Sequence, residues 1–456
     1  MSKPRTSLQN ILRNTGWLLG GKGLSAVLSL IYLAIVARSL GLAGFGKFTL
    51  ILGAAQAIEL LASFQSWQIV VRYGIPHVTA RRDDDLNDLL RFCTLLDVAA
   101  AVVSATVLTV VYLGMGRYFG WTDKLVQGAI WFGLLFVISS HWTPIGILRM
   151  RDRFDIATFA DSATPIVRCI GAVTMLAIKP GAVGFFGVWA VAEMLTALAY
   201  WIAALRINPI RWQLRRGLGL KRIARANPGI LKYALATNVN SSLDVGGKQV
   251  AVLLVGFLLN PAAVGGFKMA QQLAQGVAKF SQMMGRAIFP ELMRSRNDGV
   301  GEQAFATLLM RTFRLTASGA AIVVTVVLLL GQPLIELIGG AQFLGAYPLL
   351  QILGLAAAID FAAVAFEPAL VAMGRAGLAL KLRLVSTTVL LGGIVGLTML
   401  LGTKGAALGV LAASITSTVL LWIVLRPLVA RRSADSPSAP VDQPRASAVS
   451  GSAGEP

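Results

Sequence analysis

The sequence predicts an all-α polytopic membrane protein with about twelve transmembrane helices in two pseudo-repeated six-helix lobes. Three observations carry that reading. The 456-residue chain is 56% hydrophobic and 14% charged, with a mean hydropathy of +0.71. A soluble domain does not keep that balance, whereas each bilayer crossing consumes about 20 apolar residues. Apolar stretches of that length recur from Ile11 to Leu425, and the longest joint between them, Arg206 to Lys232, divides them into two sets of six.

In chain order the expected spans are 12–36, 45–70, 93–115, 127–148, 163–179, 182–205, 233–259, 263–288, 315–338, 348–373, 384–401 and 405–425. Barrel strands are excluded, because each would need only about ten strictly alternating residues. The domain boundaries that follow are an N-terminal lobe over 1–205, a basic cytoplasmic linker over 206–232, a C-terminal lobe over 233–427 and a tail over 428–456. The tail is Ser/Ala/Pro-rich with almost no large apolar residue and is expected to be disordered.

Loop charge sets the orientation. Thirty Lys and Arg fall in the segments on the side of the N-terminus and seven in the opposite joints, counting with them Lys47 and Lys268 at the starts of their spans. The positive-inside rule then places both termini in the cytoplasm. This asymmetry accounts for the net charge of +20 without nucleic acid as a partner. The run Arg206, Arg211, Arg215, Arg216, Lys221, Arg222, Arg225 and Lys232 fixes topology and meets anionic headgroups. The first apolar run is long, contains Lys22 and leads into more spans, so it does not read as a cleavable signal peptide.

A weak internal repeat supports duplication. Gly20-Gly21-Lys22 with Leu40-Gly41-Leu42-Ala43-Gly44-Phe45-Gly46-Lys47 is echoed by Gly246-Gly247-Lys248 with Leu259-Asn260-Pro261-Ala262-Ala263-Val264-Gly265-Gly266-Phe267-Lys268. Six helices plus six, both sets starting inside, gives parallel repeats about an axis along the membrane normal, with substrate held between the halves.

Several patterns carry no chemistry. Gly16 to Gly23 approaches a phosphate loop, but Gly23 stands where the magnesium-binding hydroxyl is needed and the context is a membrane span. Gly392 and Gly396 are read as close helix contacts through small residues. Cys93 and Cys169 lie in different spans outside any metal-spaced motif, and two histidines, His77 and His141, leave no metal or Ser/His/Asp constellation. Asp83-Asp84-Asp85 beside Arg81 and Arg82 reads as a solvated surface or loop cap.

Function is therefore sought in the polar groups within the spans. Four cations fall there: Lys22, Arg168, Lys248 and Lys279. Each costs about 2.5–3.5 kcal/mol at mid-span and needs a counter-charge, a wet cavity or a ligand. Lys22 lies about ten residues, or roughly 15 Å, into its span, too deep to snorkel easily. A few fixed cations in a narrow wet cleft concentrate their field on an anionic ligand. Internal pairing is the alternative: Asp244 with Lys248 one turn away, and Glu59, Asp97, Glu193, Asp360 or Glu367 with the other cations. Gln271, Gln272, Gln275, Lys279 and Gln282 recur at helical spacing and give span 8 one polar face, suited to sugar hydroxyls or to holding helices together. Asn238, Asn240, Ser241, Ser242 and Asp244 lower helix propensity in the first half of span 7. Asp244, Glu59 and Asp360 are candidates for coupling to a proton or sodium gradient, because burial favours the protonated carboxyl. No other cofactor and no metal is expected.

At this point the chain resembles a known family. Asn14-Thr15-Gly16 through Ala37-Arg38-Ser39-Leu40-Gly41, then Gly44-Phe45-Gly46-Lys47-Phe48, is similar to the first helix pair of the polysaccharide transporter family. These are the O-antigen and exopolysaccharide flippases of the multidrug/oligosaccharidyl-lipid/polysaccharide exporter superfamily. Leu148-Arg149-Met150-Arg151-Asp152-Arg153-Phe154 with Arg168 beyond it, span 7 with Asp244, and Arg286-Ala287-Ile288-Phe289-Pro290-Glu291-Leu292 also fit. The resemblance covers about residues 8–427. It implies a MATE-like, V-shaped pair of lobes that carries undecaprenyl-pyrophosphate-linked oligosaccharide to the periplasmic leaflet of a bacterial inner membrane by alternating access. It further implies a role in lipopolysaccharide or exopolysaccharide synthesis, with a polysaccharide polymerase or other assembly proteins as partners. Lys22, Lys248 and Lys279 occupy helices that line the cavity of that fold, with Arg168, Gln272 and Gln275 as further substrate contacts. A cation-coupled multidrug antiporter of the same superfamily is the alternative, disfavoured by central cations. A membrane glycosyltransferase or polymerase would need a sizeable catalytic loop, and the non-cytoplasmic loops are short. The expectation is a transporter and not an enzyme.

Overall fold

The computed structural model describes residues 7–178, 181–211, 220–276 and 302–434, and among these every regular element is helical. The helices are α1 (Ser7–Ala62), α2 (Ser66–Thr79), α3 (Asp83–Phe119), α4 (Asp123–Ile138), α5 (Trp142–Met150), α6 (Phe154–Ile178), α7 (Ala182–Ile207), α8 (Leu220–Ala226) and α9 (Ile230–Leu258). They continue with α10 (261–276), α11 (Glu302–Gly339), α12 (Tyr347–Ala362), α13 (Phe366–Ala372), α14 (Ala376–Leu401) and α15 (Thr403–Ala434).

Nine segments among the described residues are long and apolar enough to cross a membrane. One of them, Val27–Thr79, joins the first two expected spans. They part at Gly41, whose φ of 69° and ψ of 177° break α1 in a conformation that side chains disfavour. The seventh and eighth expected spans fall on α9 and α10, and 277–288 lie outside the described residues. The outward surface carries Phe159, Met399 and Leu400, each more than 70% exposed. Such large bare apolar groups suit lipid rather than water.

Several helices outrun their expected spans at one end. α3 starts at Asp83, α6 at Phe154, α11 at Glu302 and α14 at Ala376, where the sequence placed spans from 93, 163, 315 and 384. Charge ended the hydropathy signal, but helix propensity did not end there. Asp83, Asp84 and Asp85 form the first turn of α3, where the helix dipole favours acidic side chains. α15 likewise runs to Ala434, so 428–434 are helical and not part of a disordered tail; 435–456 lie outside the described residues.

The fourth crossing of each half is broken at matching positions. α4 and α12 are both 16 residues long, and each is followed by a three-residue break, Ser139 to His141 and Ala363 to Ala365. The breaks lie 224 positions apart and share their hydrogen bonds. Ser140 and Val364 mark the tightened last turns, with Ser140 N–H donating to Val137 O and Val364 N–H to Phe361 O. Ile145 N–H to His141 O and Ala369 N–H to Ala365 O then start α5 and α13. Pro144 and Pro368 occupy the first turn of each half-helix, where no N–H is needed.

The glycine contacts of the last hairpin differ from expectation. A Cβ at Gly392 or Gly396 would meet nothing within 4 Å. The close approach between α14 and α15 instead runs through Gly393, Gly405 and Gly409, with a Cβ at Gly405 falling 1.9 Å from Leu397 O. The contact stripe is displaced by one residue, about 100° around the helix, from the face assigned by spacing.

The linker is strapped to the first half. Asn87 Nδ2 donates to Arg211 O (3.0 Å), and Arg211 N–H donates back to Asn87 Oδ1 (2.7 Å). His77 Nε2 meets Asn227 Oδ1 at 2.9 Å, and Arg151 donates to Asn208 at 2.5 Å. Arg222 approaches Asp85 and Asp88 at 3.9 and 3.4 Å.

Candidate functional site: a polar seam between the halves

The seam between the halves is built on α1, α9 and α10. Gln249 of α9 donates to Gln56 of α1 at 2.6 Å, joining two amides at membrane depth. Asn238 Nδ2 donates to Leu61 O (3.1 Å) and Ser63 O (2.6 Å), which ties the start of α9 to the end of α1.

α10 presents the polar face that its spacing predicts, and one further residue. Asn260 Oδ1 accepts from Ala263 N–H at 2.9 Å, and Pro261 opens the helix, a cap and first turn that fix its start. Val264, Phe267, Met269, Ala270 and Ala274 are buried, whereas Lys268, Gln271, Gln272 and Gln275 are half-buried. Lys268 thus stands seven residues past Pro261, about 10 Å along the axis. Its Nζ donates to Gln271 Oε1 at 3.3 Å and has no carboxylate partner among the described residues. Sequence reasoning counted Lys268 with the joints, and the Asn-Pro cap was the signal that sets it inside the helix. Lys47 lies similarly within α1, six residues past the Gly41 break.

Lys22 and Lys248 lie on α1 and α9, but their side chains, and that of Asp244, are outside what is described, as are Lys279 and Gln282 entirely. Arg168 is described, and the structure gives it the internal partner that the alternative reading allowed. It is hydrogen-bonded and ion-paired to Glu193 of α7 and stacks over the Trp189 ring, 3.4 Å from its centroid. Tyr32 packs edge-on against Trp189 at 5.8 Å. The Tyr32 hydroxyl, Trp189 Nε1 and Arg168 Nε are buried without a hydrogen-bond partner among the described residues.

Glu59 accepts from Trp142 Nε1 at 2.9 Å and borders a cavity of about 160 Å³ with Gln56, Ser139, Ser140, His141 and Glu193. The break between α4 and α5 forms one wall of that cavity. Asp97 caps α5, accepting from Thr143 N–H (3.0 Å), the Thr143 hydroxyl (2.6 Å) and the Ser66 hydroxyl (2.5 Å). Trp142, Tyr32 and Trp189 had no signal of their own in the sequence, because each acts through a tertiary neighbour.

Asp360 lies in the second half, exposed at the end of α12. It borders a larger cavity of about 410 Å³ with Glu367, Ser417 and Thr418 at the break between α12 and α13. Glu367 reaches Arg383 at 3.7 Å. The structure therefore separates Glu59 from Asp360, one in each half. No cluster able to hold a metal ion occurs among the described residues.

The sequence model of a family described as polysaccharide biosynthesis protein matches residues 35–348. An inner membrane protein of Escherichia coli (strain K12), YghQ, is 29% identical over 352 residues, covering 75% of this chain and 96% of that protein. Among solved structures, the inward-facing conformation of a multidrug resistance MATE family transporter of the MOP superfamily aligns over 91% of this chain and 96% of its own. The TM-score is 0.71 at 15% identity. The lipid II flippase MurJ in its inward closed conformation aligns over 91% of this chain and 89% of its own, with a TM-score of 0.67 at 13% identity. The chain has the all-helical fold of these proteins.

Proposed function

Since the chain belongs to the polysaccharide biosynthesis protein family, we propose that it is a flippase for undecaprenyl-pyrophosphate-linked oligosaccharide. It moves repeat units from the cytoplasmic to the periplasmic leaflet of a bacterial inner membrane by alternating access, for lipopolysaccharide or exopolysaccharide synthesis. One observation carries the reading: Lys268 and three glutamines share the half-buried face of α10 at membrane depth, without a carboxylate partner for the lysine among the described residues. A lone cation and amides turned to lipid would cost several kcal/mol, about 2.5–3.5 for the charge alone, so this face belongs to a wet cleft. It offers an ammonium to an anionic group and amides to sugar hydroxyls. Lys22, Lys248 and Lys279 add to that charge in this reading, and Arg168, bound to Glu193, supports the wall. The loop charges favour cytoplasmic termini. Transport draws on a proton or sodium gradient through Asp244, Glu59 or Asp360, and a polymerase or other assembly protein receives the product.

Deleting the gene in its host and analysing lipid-linked oligosaccharide on each leaflet tests the reading. Repeat units are expected to accumulate on the cytoplasmic face. Complementation by Lys22→Ala with Lys248→Ala, or by Lys268→Ala, is expected to fail while membrane abundance stays normal. Unchanged glycan with raised sensitivity to cationic drugs would replace the flippase with an antiporter.

A further inference from the structure

The segment repeated in the sequence, Leu40 to Lys47 and Leu259 to Lys268, packs against its own second copy. A Cβ on Gly46 would lie 1.6 Å from Pro261 O and 3.1 Å from Gly265 N. A Cβ on Gly265 would lie 2.2 Å from Leu42 O and 3.3 Å from Gly46 N. Each glycine therefore faces the backbone of the other copy, and neither place admits a methyl group unless the helices part. The relation is reciprocal, as expected of two repeats that meet on their common axis.

Other contacts gather around this pair. Phe45 sits edge-on to Phe343 at 5.8 Å, and Arg38 Nη2 donates to Glu336 O (3.2 Å) and Leu337 O (2.8 Å). A Cβ on Gly41 would lie 3.2 Å from Gln342 Oε1. The hydrogen bonds, ring contacts and close glycine approaches between α1 and the elements from α10 onward, among the described residues, fall within 38–46 of α1. Further along, α1 reaches the second half through α9, by Gln56–Gln249 and Asn238. The halves are thus closed at the end holding Gly41 and Asn260 through α1 and the elements from α10 onward, whereas at the far end the first half meets α9, with Tyr233 against Tyr73 and under Arg72.

We infer that this glycine clasp is the periplasmic gate: it is closed when the cleft opens to the cytoplasm and parts when the cleft opens outward. The inference rests on the transporter reading above and on cytoplasmic termini. Backbone-to-backbone contact fits the task, because glycine pairs exclude water and lipid tightly yet expose little apolar area when they separate. The repeat is kept in both halves because each copy is the other's mating surface.

The test uses the full-length chain with Cys93 and Cys169 replaced by Ser and a single reporter, Gln272→Cys, in the cleft. A membrane-impermeant maleimide is applied from either face. Gly46→Ala and Gly265→Ala are expected to raise labelling from the periplasmic face about tenfold, as a minor open state becomes the main one. Gly266→Ala, whose Cβ would rest 3.7 Å from Ala346 Cβ in ordinary contact, is expected to label like the parent. Normal abundance with parental labelling in both alanine variants overturns the gate. If those variants do not accumulate, Phe45→Cys with Phe343→Cys, joined by a short cleavable bis-maleimide, decides. Export that stops on cross-linking and resumes on cleavage supports the gate, and export that persists through the cross-link overturns it. The labelling needs no cargo, so the gate stands or falls separately from the identity of the molecule carried. A rise seen from the cytoplasmic face instead overturns the periplasmic placement of the gate.

Discussion

The two broken crossings, α4–α5 and α12–α13, share one backbone design and carry different chemistry. Helix length, break length and the hydrogen bonds across the break agree at an interval of 224 residues. In the first half the polar groups beside the break are bound to one another. Asp97 has three donors, Glu59 has Trp142, and Arg168 has Glu193. In the second half Glu367 is exposed and ion-paired with Arg383, and Asp360 is exposed beside a cavity more than twice as large. Backbone geometry, fixed by helix register and a proline after the break, survives duplication. Side-chain chemistry diverges, so the two halves are similar scaffolds with unequal surroundings: the acidic groups at the first break are buried or half-buried, and those at the second are exposed.

That contrast can be broken most sharply at Asp97. Asp97→Ala leaves the Ser66 and Thr143 donors without an acceptor and uncaps α5. It is expected to cost about 3–5 kcal/mol, read as a large fall in the thermal unfolding temperature of the detergent-purified protein. Arg168→Gln comes next, because it strands the Glu193 carboxylate in the wall, for about 3 kcal/mol. Adding Glu193→Gln should recover most of that loss, and a double variant as unstable as the single one would show that the pair is not what stabilises this wall. The smallest effect is expected in the second half. Asp360→Asn and Glu367→Gln should each change stability by no more than about 0.5–1 kcal/mol. A loss of several kcal/mol from either would show the second break to be as tightly locked as the first.

Much of this architecture was legible in the sequence, for identifiable reasons. Apolar runs announce spans because lipid leaves no other partner for the backbone, and the Leu40-Gly41 joint announced the turn that the positive φ of Gly41 realises. The polar face of α10 followed from spacing alone. Pairings between distant helices did not, since nothing local to Arg168 distinguishes Glu193 from Glu59 as its partner. Lys268 was hidden by its place close to a joint, although Asn260-Pro261 marks the helix start. Gly392 and Gly396 show the limit of small-residue spacing: a period locates a face only when the partner helix is known, and here the contact fell on Gly393.

The strapped linker has a mechanical consequence. Exposed Arg206, Arg211, Arg222 and Arg225 travel as one body with the first half, held by Asn87, Asp85, Asp88 and His77. In the orientation proposed above, with both termini cytoplasmic, their charge binds the anionic cytoplasmic leaflet at about 1 kcal/mol per residue near the surface. In the alternating-access cycle proposed above, one half is thereby moored like a stator, and the other, reached through α9, is the rotor that swings against it.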